Sequence, residues 1–406
     1  MSKNKKLVPK RRFKEFQNSD AWEQRELGEV VQITMGQSPL GSNYTENPSD
    51  YILVQGNADM KNGKVFPRIW TTQVTKTAEP DDIILSVRAP VGDVGKTDYN
   101  VVLGRGVAGI KGNEFIYQLL SKMKSNSYWG KYSTGSTFDS INSNDLKEAN
   151  ICIPSINEQV QIGSFFRNLD QTIAFQQRKL EKMKSMKSAY LSEMFPAEGE
   201  RKPKRRFPGF TDDWKQRELG KVLGNLTDGD WIEKEHISDK GKYRIIQTGN
   251  IGIGEYYNKG KDAKFLNQSS FDVLNGNEIF PGDILISRLA EPAGRTIILP
   301  NTGSRMVTAV DVAIVRPNSN FSSYFIQTMM NTNETLKKIN EEASGSTRKR
   351  ISRKNLELID LIIPEIQEQE KIGNFFKNLD QTIAFQQQKL EKLQNIKKAY
   401  LNEMFI

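Results

Sequence analysis

"FFRNLDQTIAFQQRKLEKM" occupies Phe165 to Met183, and "FFKNLDQTIAFQQQKLEKL" occupies Phe375 to Leu393, 210 positions further on. The likeness extends over Ile153–Phe195 and Ile363–Phe405, where about 30 of 43 positions are identical. Within the first copy, Ile162, Phe166, Leu169, Ile173, Leu180 and Met183 recur at spacings of three, four and seven. Ile372, Phe376, Leu379, Ile383, Leu390 and Leu393 repeat the stripe. Gln, Lys and Glu fill the other faces, the pattern of an amphipathic helix. Ser155 and Glu158 read as a capping box at its start. A helix of roughly 40 residues is about 60 Å long, more than a small domain needs. Two such helices with matching seams pack most simply as a coiled coil, and Gln176 and Gln386 on the seam would fix its register.

A second repeat marks where each half opens. "KRRFKEFQNSDAWEQRELGEV" begins at Lys10 and "KRRFPGFTDDWKQRELGKV" at Lys204. Closing motifs, "GSTFDSINSNDL" from Gly135 and "GSTRKRISRKNL" from Gly345, precede the helices. The chain is therefore two tandem halves, each an opening motif, a variable region, a closing motif and a long helix. The variable regions read as β-rich. "DDIILSVRAPVGDVG" and "GDILISRLAEPAG" share an acidic turn, a short apolar strand, a serine, a basic residue and a Pro/Gly loop. "GNIGIGEYY" from Gly249 reads as a hairpin turn.

The 406 residues carry 58 Lys and Arg against 49 Asp and Glu, a net charge of +9 that favours polyanionic partners. "KNKKLVPKRR" at Lys3–Arg12 and "RKPKRR" at Arg201–Arg206 read as solvated arm and linker. "RKRISRK" at Arg348–Lys354 reads as a binding cluster. No apolar run approaches the roughly 20 residues needed to cross a membrane. One cysteine, Cys152, makes no internal disulfide and suits a reducing cytoplasm.

Signs of catalysis are lacking. No P-loop is present, and the single histidine, His236, has no histidine partner. Gly104, Gly106 and Gly109 fit GxGxxG, but no amphipathic helix begins at the last glycine, so a plain loop is preferred. Asn47–Asp50 lacks the second proline and the aromatic of a methyltransferase motif. Asp213–Lys215 and Asp262–Lys264 lack the upstream carboxylate of a nuclease site. No metal-ligand cluster is legible.

The repeated helix motif, the "GST…I…L" closing motif and the "RRFPGFTDDWKQRELG" opening together resemble the specificity subunit of type I DNA restriction-modification enzymes, over essentially the whole chain. The resemblance implies an α+β fold: two target-recognition domains, each followed by a long helix, the helices packed as an antiparallel coiled coil with pseudo-two-fold symmetry. It implies a non-catalytic subunit that reads a bipartite, gapped DNA target in the cytoplasm. Two methyltransferase subunits and the translocase–nuclease restriction subunits would be its partners. S-adenosylmethionine, ATP and Mg²⁺ would be bound by those partners, for N6-adenine methylation. The expected division is a basic arm (1–23), a first recognition domain (24–154), a central helix (155–196), a linker with opening motif (197–215), a second recognition domain (216–364) and a final helix (365–406). A stand-alone methyltransferase or endonuclease with duplicated DNA-binding domains stays open as the alternative, as does a scaffold with no DNA role.

Within that reading, the DNA-contact candidates of the first domain are Arg88, Arg105 and Thr137. Those of the second are Arg288, Arg295, Arg305 and the run Arg348, Lys349, Arg350, Arg353 and Lys354. Arginine can grip guanine edges through two hydrogen bonds, which points Arg88 and Arg288 toward bases. The run at Arg348–Lys354 points toward phosphates. The repeated helix ends suggest a methyltransferase-docking role for Tyr190, Leu191, Met194 and Phe195, and for Tyr400, Leu401, Met404 and Phe405.

Overall fold

The structure is a computed structural model that describes residues 7–132, 140–345 and 349–406. It divides into two compact units. One joins the chain up to Arg178 with Gln388–Ile406; the other is Lys179–Gln387. The α+β architecture expected from the sequence is observed: two β-rich modules, each followed in the chain by a long helix, Ile156–Glu193 and Ile366–Met404.

In the first unit, one sheet runs in the order Gln32–Met35, Val107–Lys111, Ile83–Ser86, Val94–Lys96, Lys64–Val65, Met60–Lys61. A second places Tyr51–Val54 parallel to Val101–Leu103. The second unit repeats the scheme. Thr227–Asp228, Val312–Val315, Ile284–Ser287 and Thr296–Ile298 form one sheet, and Tyr243–Ile246 lies parallel to Arg305–Thr308 in the other. Central strands such as Ile83–Ser86 and Val312–Val315 are buried along their whole length, hence their unbroken apolar runs. The opening motif pairs antiparallel with the strand before each long helix, Glu23–Glu26 on Asn150–Ile153 and Lys215–Glu218 on Asp360–Ile363.

Each unit contains segments of both long helices. In the first, Phe165 meets Tyr400 edge-on at 5.2 Å, and Lys397 pairs with Asp170 at 2.6 Å. In the second, Tyr190 meets Phe375 at 5.1 Å, and Lys187 pairs with Asp380 at 2.6 Å. Rising numbers on one helix meet falling numbers on the other, so the packing within each unit is antiparallel. Of the stripe, Ile162, Phe166 and Leu180, with Ile372, Phe376 and Leu390, are buried, the first two of each set in the module cores, while Leu169, Ile173 and Met183, with Leu379, Ile383 and Leu393, are half-buried. Gln176 and Gln386 are buried too. Gly163 and Gly373 let a module helix approach closely. A Cβ on Gly163 would lie 2.8 Å from that of Glu114, and one on Gly373 would lie 2.8 Å from the Phe325 nitrogen.

Two readings of the basic clusters need correction. Arg12 and Arg206 are not solvated. Arg12 grips both oxygens of Glu158 at 2.7 Å, and Arg206 grips those of Glu368 at 2.7 Å. Glu158, offered by the sequence as half of a capping box, gives its carboxylate to Arg12 instead. The preceding arginines reach the opposite helix ends, Arg11 to Glu403 and Arg205 to Glu193. Each "RRF" thus ties the start of one long helix to the end of the other.

Candidate DNA interface

Backbone hydrogen bonds align the two modules residue by residue. Gly36 donates to the Val107 carbonyl as Gly229 does to Val312. Ile141 donates to the Val87 carbonyl as Ile351 does to Arg288. Arg88 bridges Ser140 as Leu289 bridges Arg350. By this register Arg288 stands where the first module has Val87, and Arg88 where the second has Leu289. Asp311 stands for Gly106, and Trp231 for Ser38. The shared "S…R" string had suggested that Arg88 and Arg288 correspond; the register separates them by one position.

In the first module these loops enclose an open cleft of about 220 Å³. Arg88 and Arg105 line it with Ser38, Tyr44, Gln55 and Asn57. Both arginines are exposed, and neither side chain has an ion-pair partner among the described residues. The Arg105 N–H donates to Ser38 Oγ at 3.1 Å, and Ser86 Oγ donates to the Arg88 carbonyl at 2.8 Å, so both backbones are held while the guanidinium groups face outward. Gly104–Arg105–Gly106 is the turn between strands Val101–Leu103 and Val107–Lys111, the plain loop preferred for that GxGxxG. Gly106 has no room for a side chain: a Cβ would lie 2.0 Å from the Gln55 carbonyl oxygen. Thr137 lies outside the described residues.

The second module is organised differently. Arg288 is only 4% exposed. Its Nη2 lies 3.0 Å from Asp228, its Nη1 bonds the Ile351 carbonyl, and its Nε has no acceptor among the described residues. Burial pulls the guanidinium below its ordinary pKa while Asp228 opposes that shift. Arg350 donates to Asp311 at 2.8 Å, and Arg353 lies 3.5 Å from Asp228 and from Glu357. Arg305 is paired with Glu278 and sits 4.5 Å over the Tyr243 ring. Arg295 is half-buried and reaches the Thr248 carbonyl, and Lys349 reaches that of Asn340. Lys354 is exposed. Arg348 lies outside the described residues.

The helix ends are placed inside the modules. Phe405 stacks on Phe115 at 5.0 Å and meets Trp22 and Phe166. Phe195 meets Phe325 at 5.7 Å, with Trp214 and Phe376. Met194, Leu401 and Met404 are buried in the same two cores, while Tyr190, Leu191 and Tyr400 are half-buried at their margins. Among the described residues, the aromatic rings that the long helices leave in solvent are Phe175 and Phe385, 59% and 62% exposed, at matching positions of the repeat. They fall off the apolar stripe, so helical periodicity gives no sign of them. Among the described residues no group of three or more His, Cys, Asp or Glu could hold a metal, and no helix is long and apolar enough to cross a membrane. His236 Nδ1 lies 3.2 Å from Ser270 Oγ.

The type I restriction modification DNA specificity domain matches twice, over residues 19–185 and 211–395. The chain belongs to this family. Specificity-family relatives include the MjaX type I restriction enzyme specificity subunit of Methanocaldococcus jannaschii, 33% identical over 46% of this chain and 48% of that one. The HindI specificity subunit of Haemophilus influenzae is 25% identical over 48% and 41%. The matched stretch spans about half the length of these relatives or less. The fold is that of the S subunit of a type I restriction-modification system from M. genitalium, with a TM-score of 0.66 at 16% identity over 98% of this chain and 99% of that one. A chain from a study of complex assembly and conformational transition of the type I R-M system is similar at a TM-score of 0.54, 18% identical over 95% and 97%.

Proposed function

We propose that this chain is a non-catalytic specificity subunit whose two modules each read one half of a gapped DNA target. The observation that carries the reading is the contrast between copied and divergent positions. The helices and both "RRF" ties are duplicated, whereas the loop positions 38/231, 88/289 and 106/311 differ in size and charge. Copied surfaces suit a partner present twice, the methyltransferase subunit. Divergent surfaces suit two different base sequences. The translocase–nuclease subunits complete the complex, and S-adenosylmethionine, ATP and Mg²⁺ belong to the partners. The site of action is the cytoplasm.

In the first module, Arg88 and Arg105 are the base-reading or groove-edge side chains. In the second, Lys354 and the outer faces of Arg350 and Arg353 contact phosphates, while Arg288 acts from within by fixing the loop. Methyltransferase docking falls to Phe175 with Tyr400 in the first unit, and to Phe385 with Tyr190 in the second. Modules reading faces about 10 base pairs apart would leave roughly six unspecified pairs between half-sites. Methylome sequencing of a host carrying the chain and its methyltransferase tests this. A bipartite motif with a fixed gap is expected; a continuous motif, or methyl transfer by the purified chain alone, overturns it.

A further inference from the structure

Trp231 is 70% exposed, whereas Trp22, Trp129 and Trp214 are 3%, 2% and 1% exposed. An indole carries a large apolar area that a folded chain normally buries. Its exposure is imposed by the loop around it. Gly229 donates to the Val312 carbonyl at 3.0 Å, and Asp230 donates to that of Thr308 at 2.8 Å. The Asp230 carboxylate accepts the Asn277 N–H at 2.8 Å. On the other side, Ile232 packs against the cluster of Tyr243 and Leu266. Asp228, three residues earlier, pairs with Arg288 and Arg353. Both flanks of Trp231 are thus fixed, and the ring is held out from an ordered loop.

The position has a counterpart. Ser38, its equivalent by register, lines the cleft beside Arg88 and Arg105. One place on the module surface is therefore a polar recess in the first copy and a projecting indole in the second. A methyltransferase subunit that engages both halves alike would meet a surface the halves share, and Trp231 is not shared. Arg353 pairs with Asp228, three residues before Trp231, and Arg350 pairs with Asp311, the counterpart of Gly106 in the first module's cleft. Cations beside an exposed aromatic ring are the composition of a base-stacking surface. The core of a protein interface is depleted in charge.

Resting on the DNA-reading role proposed above, we propose that Trp231 stacks on a nucleobase of the second half-site, as a wedge at one base step. The first module, with Ser38 there, leaves its half-site stacked. The duplex is then distorted on one side only.

The test uses the full chain assembled with its methyltransferase, and duplexes of the methylome-defined motif. 2-Aminopurine replaces one base at a time in either half-site, away from the methylated adenines. Binding should raise its fluorescence at one step of the second half-site and nowhere in the first. Trp231→Ala should abolish that rise and weaken binding about 10-fold, within the range of one lost base–aromatic stack. Trp231→Phe should keep most of both. Unchanged fluorescence and affinity in Trp231→Ala, with the duplex still bound and methylated, overturns the wedge and leaves the DNA-reading role intact. Loss of the methyltransferase from Trp231→Ala in the absence of DNA also overturns it, by assigning the indole to a protein contact. Failure of the unsubstituted complex to bind the motif removes the DNA-reading role itself.

Discussion

Arg12 and Glu158 form a two-pronged ion pair across 146 residues of sequence, with side chains 6% and 0% exposed. Arg206 and Glu368 repeat it. Removing one partner of such a buried pair leaves a charge without compensation. Arg12→Ala should therefore lower stability by about 3 kcal/mol, measured by urea unfolding. Arg11, an exposed partner of Glu403, is the control: Arg11→Ala should leave the midpoint near that of the parent. Equal losses from the two substitutions would refute the assignment.

Phe405 closes the first module among Trp22, Phe115 and Phe166. Phe405→Ala should cost about 3–5 kcal/mol. Amide exchange should quicken in the helix Glu114–Ser125, which Phe405 covers, more than in Ser323–Met330. Uniform exchange changes in both helices would count against this local role.

Arg288 and Asp228 occupy the places of Val87 and Met35, an apolar pair in the first module. Their pairing is imperfect, since Arg288 Nε has no acceptor among the described residues. Asp228→Ala should cost about 3 kcal/mol by stranding a buried guanidinium. The double change Asp228→Met with Arg288→Val should fall within about 1 kcal/mol of the parent, because an apolar pair removes the desolvation cost. A double mutant as unstable as the single one would show that the ion pair is not replaceable.

Arg88 is exposed and unpaired among the described residues, and Lys354 is exposed. On the assembled methyltransferase, Arg88→Ala should cost about 1–3 kcal/mol at one position of the first half-site and leave the second unchanged. Lys354→Ala should weaken all sequences alike and lower the salt slope by about one unit. Reversal of the two behaviours would exchange the roles.

Phe175 and Phe385 are copied, exposed and remote from either core. Phe175→Ser with Phe385→Ser should reduce methyltransferase co-purification while the unfolding midpoint holds. Undiminished co-purification would move the docking site elsewhere on the chain.

The long helices were legible because their stripe is regular and occurs twice. The β-rich modules were legible from apolar runs bounded by Gly and Pro. The role of Arg12 was hidden, because a cluster such as "PKRR" looks solvated until a distant glutamate closes on it. Arg288 was placed beside Arg88 by a shared string, but the loop after it, "LAEPAG" against "RAPVG", carries one residue more, and only strand register settles the correspondence. Trp231 left one trace, an aromatic set in the turn-forming run "DGDW", with no periodicity to say whether it faced inward.

The place of Phe405 also has a consequence in time. The N-terminal part of the first unit ends at Arg178, and the ring that closes its core is synthesised 227 residues later. At roughly 5–20 residues per second, that interval is on the order of 10–45 s. Throughout it, the emerging chain presents the apolar seat of Phe405 around Trp22, Phe115 and Phe166. The second module has no such wait, because Phe195 is made before Trp214, Phe325 and Phe376, the rings that it meets. The half translated first is thus the half completed last, and it is the one that a chaperone or a protease would meet unfinished.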